Sequence, residues 1–330
     1  MRRLLPILCL LASALTPLAA AERVTLAVGG QGLFYYLPLA IAAERGFFAQ
    51  AGLDVEVVDF PGGAKALQAV VGGSADFAAG AFEHVVNMRA RGQALRAIVL
   101  LARYPAFVIA LAPRLAESWR GPASLRGLTL GITAPGSSTH LFLKNVLHGA
   151  GLATDAATVI GVGGGAGAVA AMQRGELDGI VHLDPVISEL EASGAAQVVL
   201  DTRTADGAQA VYGGPYHAAC IYATQATLED KPVIAHALVT AQVRALRWLA
   251  TASTADIMAV VPRGFIGPDT ERYRVALNKN RAMWSADGAL DLEGARNVLD
   301  TLARFEPFVR EADIDLESVI ERRFLGAPPP

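Results

Sequence analysis

Cysteine is nearly absent. Cys9 and Cys220 are the only two in 330 residues, which excludes a disulfide-built scaffold and any Cys-rich zinc site. Lysine is scarce too: the 28 basic side chains are 24 arginines and 4 lysines, scattered rather than run together. At a net charge of −3 the chain offers no basic patch to draw nucleic acid or an anionic bilayer. None of the 6 histidines falls in H-E-x-x-H or a similar ligand spacing, so no metal site is expected. Beyond the N-terminus no apolar run approaches the length of a transmembrane helix. What the chain does hold is apolar residues, at 53% against 18% charged, enough for a large core. Its length suits two domains of about 100–200 residues better than one.

Residues 1–21 read as a cleaved secretory signal. Arg2 and Arg3 form a cationic start, Leu4 to Leu15 an apolar stretch, and Ala19-Ala20-Ala21 small residues for cleavage. Pro6 and Pro17 interrupt the apolar stretch, which is short for a membrane anchor. Cys9 lies inside that stretch, so no lipoprotein anchor is expected. The mature chain would carry 26 cations against 31 acids, a net of −5, with Cys220 as its single thiol. A periplasmic location follows as the expectation.

A β-α-β-α-β rhythm opens the mature chain. Arg23–Gly29 is a short β-type run, Pro38–Gln50 has helical spacing, and Leu53–Phe60 is the next strand. A helix to Val71 and a strand over Asp76–Ala79 follow, a pattern of parallel sheets covered by helices. The rhythm returns with a strand at Leu128–Ile132, a helix at Ser138–Gly149 and strands at Thr158–Val162 and Gly179–Val181. Helical spacing then dominates: Val233–Ala252, Pro268–Met283 and Leu292–Arg304, before a Pro-rich end expected to fray. The stretch Gly62-Gly63-Ala64 … Gly73-Ser74-Ala75-Asp76 matches Gly164-Gly165-Ala166 … Gly175-Glu176-Leu177-Asp178 without a gap, 102 positions later. Such a repeat implies two similar lobes, each with a glycine turn and a helix N-terminus at the ligand-binding edge of its own sheet.

Several segments could carry chemistry. Gly161 to Ala166 loosely fits a dinucleotide fingerprint, but it sits mid-chain and Asp178 starts a strand, which favours a smaller ligand. Gly136-Ser137-Ser138-Thr139 opens a helix, where hydroxyls can cap the helix or meet a polar ligand; both readings stay open. His182 and Asp184 suggest a hydrogen-bonded pair at a cleft or hinge rather than an acid–base pair. Lys65, in the first turn of a helix, is either solvated or aimed at a cleft. Cys220 sits in an apolar run as an inert buried thiol. Six aromatics (Phe34, Tyr35, Tyr36, Phe82, Tyr212 and Tyr216) fall in loops or at element ends, where core packing explains them poorly. They are expected to wall a cleft, with about half touching a ligand.

The run Tyr36-Leu37-Pro38-Leu39-Ala40-Ile41-Ala42-Ala43-Glu44-Arg45-Gly46-Phe47-Phe48, followed by Gly52-Leu53-Asp54-Val55-Glu56, is distinctive. With Gly62-Gly63, Gly73-Ser74-Ala75-Asp76-Phe77, Leu125-Arg126-Gly127, Gly136-Ser137-Ser138 and Trp284 to Gly288, it resembles the nitrate/sulfonate/taurine-type substrate-binding proteins of ABC importers. That superfamily also holds the SsuA-type and pyrimidine-synthase-like proteins. The resemblance implies an α/β protein of the type II periplasmic-binding class, a two-lobed Venus flytrap with a mixed, mostly parallel sheet in each lobe flanked by helices. Lobe 1 would take 22–110 plus 222–330, with lobe 2, 111–221, inserted through two crossovers. The loops it carries over make ligand contacts of Gln31, Phe34, Tyr35, Tyr36, Gly62, Gly63, Gly80, Phe82, Glu83, Gly136, Ser137, Ser138, Thr139, His182, Asp184, Tyr212 and Tyr216. These loops hold no arginine to clamp an acid, and Glu83 could pair with an amine or ring N–H. The implied function is capture of a small polar or aromatic molecule by a monomer and its delivery to an ABC permease with its ATPase. No reaction and no cofactor are expected. A pyridoxal-phosphate enzyme of the pyrimidine-synthase type, for which Lys65 is the available lysine, and a periplasmic ligand sensor are the alternatives.

Overall fold

Ten strands form two five-stranded sheets in the structure, a computed structural model that describes residues 21–326. Apart from Ala21, the expected signal segment lies outside the described residues, as do the last prolines. The strands are β1 (Glu22–Val28), β2 (Leu53–Asp59), β3 (Phe77–Ala81), β4 (Leu95–Leu100), β5 (Val108–Leu111), β6 (Thr129–Ile132), β7 (Thr158–Gly161), β8 (Gly179–His182), β9 (Gln197–Asp201) and β10 (Ala219–Thr224). The first sheet has the order β2-β1-β3-β10-β4 and the second β7-β6-β8-β5-β9. In each, three strands run parallel and the fourth, β10 or β5, is antiparallel to both neighbours. The two lobes are therefore the mixed, mostly parallel α/β units that the β-α-β rhythm implies.

Central strands are buried along their whole length in β3, β5 and β8, whereas the edge strands β2, β7 and β9 are partly exposed. Helices on both faces account for the continuous apolar runs of the central strands. The 102-residue repeat has a structural cause. The Asp76 N–H donates to the Thr25 carbonyl at 3.0 Å, and its carboxylate accepts from the Thr25 N–H at 2.9 Å. In the second lobe Asp178 makes the same two bonds to Thr129, at 2.9 and 3.0 Å. Each aspartate also meets one cation, Lys231 at 2.5 Å and Arg114 at 2.9 Å. The pair fixes the register of the third strand on the first in each sheet: Leu26 faces Phe77, and Leu130 faces Gly179.

The sheets shift the crossovers away from the expected boundaries at 110/111 and 221/222. Residues 108–110 already belong to the second sheet, and residues 219–221 already belong to the first. The sequence runs apolar across both places, and only the hydrogen-bonded partner decides which sheet owns each strand. The chain passes between sheets in residues 101–107 and again in 202–218. The helix expected over Pro38–Gln50 is two, Leu37–Glu44 and Phe47–Gln50, because Gly46 sits between them at φ +67°. The loop expected at Gln31–Tyr36 ends in a 3-10 turn over Phe34–Tyr36. Helices at Pro232–Thr251, Thr270–Asn280 and Leu292–Phe305 cover the C-terminal third, the second starting at its Asp269 cap rather than at Pro268. No helix among the described residues is long and apolar enough to cross a membrane.

Candidate functional site

Parallel strands deliver their following loops to one edge of each sheet, and here the two edges face each other. Contact between the lobes there is backbone on backbone. A Cβ at Gly164, after β7, would lie 2.8 Å from the Gly30 Cα, after β1. A Cβ at Gly62 would lie 2.8 Å from the Ala134 Cβ and 3.1 Å from the Ser137 Oγ. Only glycine permits this approach, and the structure is that of lobes closed on one another.

Behind this contact lies a buried cluster drawn from both lobes and both crossovers. Glu83, in the first turn of the helix Phe82–Ala90, is 1% exposed. Its Oε1 accepts from the Tyr216 hydroxyl at 3.0 Å, and its Oε2 has no partner. The hydroxyls of Tyr35 and Tyr212 and the Nε2 of His84 are likewise buried without partners. Tyr216 stacks on Tyr212 at 4.0 Å between centroids, and Phe142 and Phe107 continue the series of rings to Tyr35 at 6.2, 5.4 and 6.0 Å. Glu83 is close enough to Tyr35, Tyr212, Tyr216 and Cys220 for burial and its charge together to raise their ionisation far above the usual values. Burial pushes the Glu83 carboxyl itself up to about 7, against the hydrogen bond from Tyr216, and the His84 imidazole down to about 4. Among the described residues no arginine or lysine pairs with Glu83.

A folded-state value raised from 4.5 to about 7 means that Glu83 favours the fold below about pH 4.5 and loses that contribution as pH rises through about 7. Glu83→Gln is therefore expected to match the wild type near pH 4 and to exceed it by about 2–3 kcal/mol at pH 8. Denaturant midpoints of both ligand-free proteins at the two pH values measure it. His84, perturbed in the opposite sense, is common to both and cancels. A pH-independent difference would contradict a desolvated carboxyl.

Of the expected contacts, Tyr35, Glu83, Tyr212 and Tyr216 come together in this cluster, and Gly62, Gly63 and Ser137 at the lobe contact beside it; Gly63 sits against His84. The others lie elsewhere in the fold. Phe34 packs edge-on against Tyr273 and Trp284, at 4.9 and 6.3 Å, and Phe82 against His217 at 5.4 Å. Tyr36 and the exposed Gln31 line a separate recess of about 240 Å³ with Val28, Leu39 and Phe265. Gly80 lies under the Tyr222 ring. Gly136 is exposed and donates to His140, Ser138 is half-buried, and the Thr139 hydroxyl bonds to Thr133. His182 and Asp184 form no pair: His182 Nε2 meets the Gly163 carbonyl at 2.9 Å, while Asp184 accepts from Ser188, Arg203 and Asn280 at 2.8, 3.1 and 2.7 Å. Lys65 is exposed and bonds to Gln68, so it does not reach the cleft.

Ser137 does not cap the helix it opens. Its Oγ reaches across the cleft to accept from the Ala64 N–H at 3.0 Å. Removing one such bond costs about 0.5–1.5 kcal/mol. Ser137→Ala is expected to raise the ligand dissociation constant a few-fold for every ligand tested, by titration, since the bond stabilises closure itself. Equal affinity would show that the contact adds nothing to the closed state.

Sequence reasoning passed over His84, Phe107, Phe142 and Arg203. Phe107 carries the one available signal, an aromatic beside Pro105 at a strand start; the others look like ordinary helix or loop residues until the lobes meet.

Two lobes of matched topology, joined by two crossovers and closing on a buried polar cluster, define the periplasmic-binding-protein fold. The alkanesulfonate-binding protein SsuA of Xanthomonas axonopodis pv. citri superposes with a TM-score of 0.71 at 18% identity, over 92% of this chain and 98% of that one. The nitrate-binding protein NrtA of Synechocystis PCC 6803 does so with 0.71 at 16%, over 92% and 87%. At these identities the likeness is one of fold. A protein of Bordetella bronchiseptica RB50 with a solved structure is 42% identical, with a TM-score of 0.89 over 92% of this chain and 96% of that one. No curated protein matches the sequence. The NMT1-like family matches residues 19–261, and the chain belongs to it.

Proposed function

We propose that this protein is an exported receptor that closes its two lobes around one small molecule and hands it to an ABC permease in the membrane, without catalysing a reaction. The observation that carries the reading is the set of buried polar atoms without partners, Tyr35 Oη, Glu83 Oε2, His84 Nε2 and Tyr212 Oη. Leaving such groups unpaired costs about 1–3 kcal/mol each, which a folded protein tolerates where a ligand completes them. Ligand would favour the closed form over the open one, and the permease would read closure. Lys65 lies outside the cluster, which speaks against a lysine-bound cofactor there.

A melting-temperature screen with small metabolites tests the reading. A true ligand at 100 times its dissociation constant adds about 2.7 kcal/mol and shifts the melting temperature by several degrees. The same compound should reduce the radius of gyration in solution scattering. A compound that binds without compacting the protein, or a screen without hits, would overturn the receptor reading.

A further inference from the structure

Glu83 sets the kind of ligand. A buried carboxyl is ordinarily paired with a cation, because an isolated charge out of water is costly. Here the side chain is fully enclosed, one oxygen is held by Tyr216, the other has no partner, and no arginine or lysine among the described residues reaches it. The groups around it are phenols, Tyr35, Tyr212 and Tyr216, whose rings continue into Phe142 and Phe107. Aromatic faces attract cations through their quadrupoles, and do so most strongly when water is excluded. An oxyanion would find no counter-charge here, since no arginine or lysine among the described residues reaches Glu83.

Resting on the receptor reading above, we infer that the cleft takes a small organic cation, a protonated or quaternary amine whose nitrogen lies against Glu83 between tyrosine rings, and that it rejects sulfonate and nitrate. Phe107, Phe142 and Tyr212 come from the second lobe or the crossovers and Tyr35 and Glu83 from the first, so the cage is complete only on closure. That couples recognition of the nitrogen to the closed state. The nitrogen also restores the ionised carboxylate. In its absence Glu83 is surrounded by Tyr35, Tyr212, Tyr216 and Cys220, all neutral, with His84 adjacent in sequence and also neutral at pH 7. Binding therefore releases a proton, and affinity should fall as pH drops below 7.

The test uses matched skeletons. Amines of up to about ten heavy atoms, including benzylamine and tetramethylammonium, are screened by melting temperature and calorimetry beside the sulfonate or carboxylate of similar skeleton, phenylmethanesulfonate among them, and beside nitrate. The expected result is binding in the amine series alone, weakening about tenfold between pH 7 and pH 5.5, and a loss of tenfold or more in Glu83→Gln. Tyr212→Phe, which keeps the ring but removes an unpartnered hydroxyl, should weaken amine binding by less than Glu83→Gln does. If oxyanions bind and amines do not, the ligand class is overturned and the receptor reading stands. If neither series binds, the ligand class is overturned, and the wider metabolite screen decides the receptor reading. If amines bind Glu83→Gln as well as they bind the wild type, the assignment to Glu83 is wrong.

Discussion

Gly164→Val is expected to weaken ligand binding about 100-fold, and Gly164→Ala about tenfold, while the ligand-free protein melts close to the wild type. The three atoms nearest a Cβ at this position are all first-lobe atoms: the Gly30 Cα at 2.8 Å, a Leu33 methyl at 3.3 Å and the Gly29 carbonyl at 3.5 Å. Its backbone is not in the left-handed region, so a side chain brings no local strain. None of these three atoms belongs to its own lobe. The penalty falls on closure alone, at about 1–3 kcal/mol for overpacking a tight contact. Solution scattering with saturating ligand should find the valine variant expanded relative to the liganded wild type. Wild-type affinity and compaction would mean that Gly30 and Gly164 do not meet in the working closed form.

Asp184→Ala should cost about 3–5 kcal/mol of stability, the range for breaking a buried ion pair. The Asp184 side chain is 0% exposed and that of Arg203 4%. Arg203 also reaches Asp201 and Glu191, and Asn280 donates to the same Asp184 oxygen as Arg203, while the Ser188 N–H holds the other. The Asp184 carbonyl accepts from the Phe34 N–H at 3.0 Å, so the residue ties the second lobe to the first through backbone and side chain together. Denaturant unfolding measures the loss. Asp184→Asn, which keeps shape and one acceptor, should fall between the alanine variant and the wild type. A loss under about 1 kcal/mol in the alanine variant would refute a central structural role.

The pairing of Asp184 with Arg203 was not legible from the chain alone. Asp184 and Arg203 are 19 positions apart, and nothing in local pattern joins a strand end to a distant loop. Periodic features were legible: the helix Ser138–Gly149 has the bounds its spacing predicts, and the repeat pointed to two similar sheets. Ownership of β5 and β10 was not, because both are as apolar as the strands around them and antiparallel insertion leaves no mark in sequence. Of the six aromatics in loops, three stand in the buried cluster. Tyr35, Tyr212 and Tyr216 carry hydroxyls that a purely apolar core would have to satisfy, whereas Phe34 and Phe82 have none and pack into the fold. Ser137 shows the limit most plainly: its partner, Ala64, lies across the cleft.

Closing on Gly30, Gly62, Ala134 and Gly164 also has a thermodynamic consequence. Long side chains at a mating surface lose up to about 1.5–2 kcal/mol each in rotamer freedom when they lock together, and glycine and alanine lose none. At this part of the contact closure freezes almost no rotamers, and the rotamer cost of closing falls instead on pairs such as Lys144–Glu306 and Arg272–Glu189.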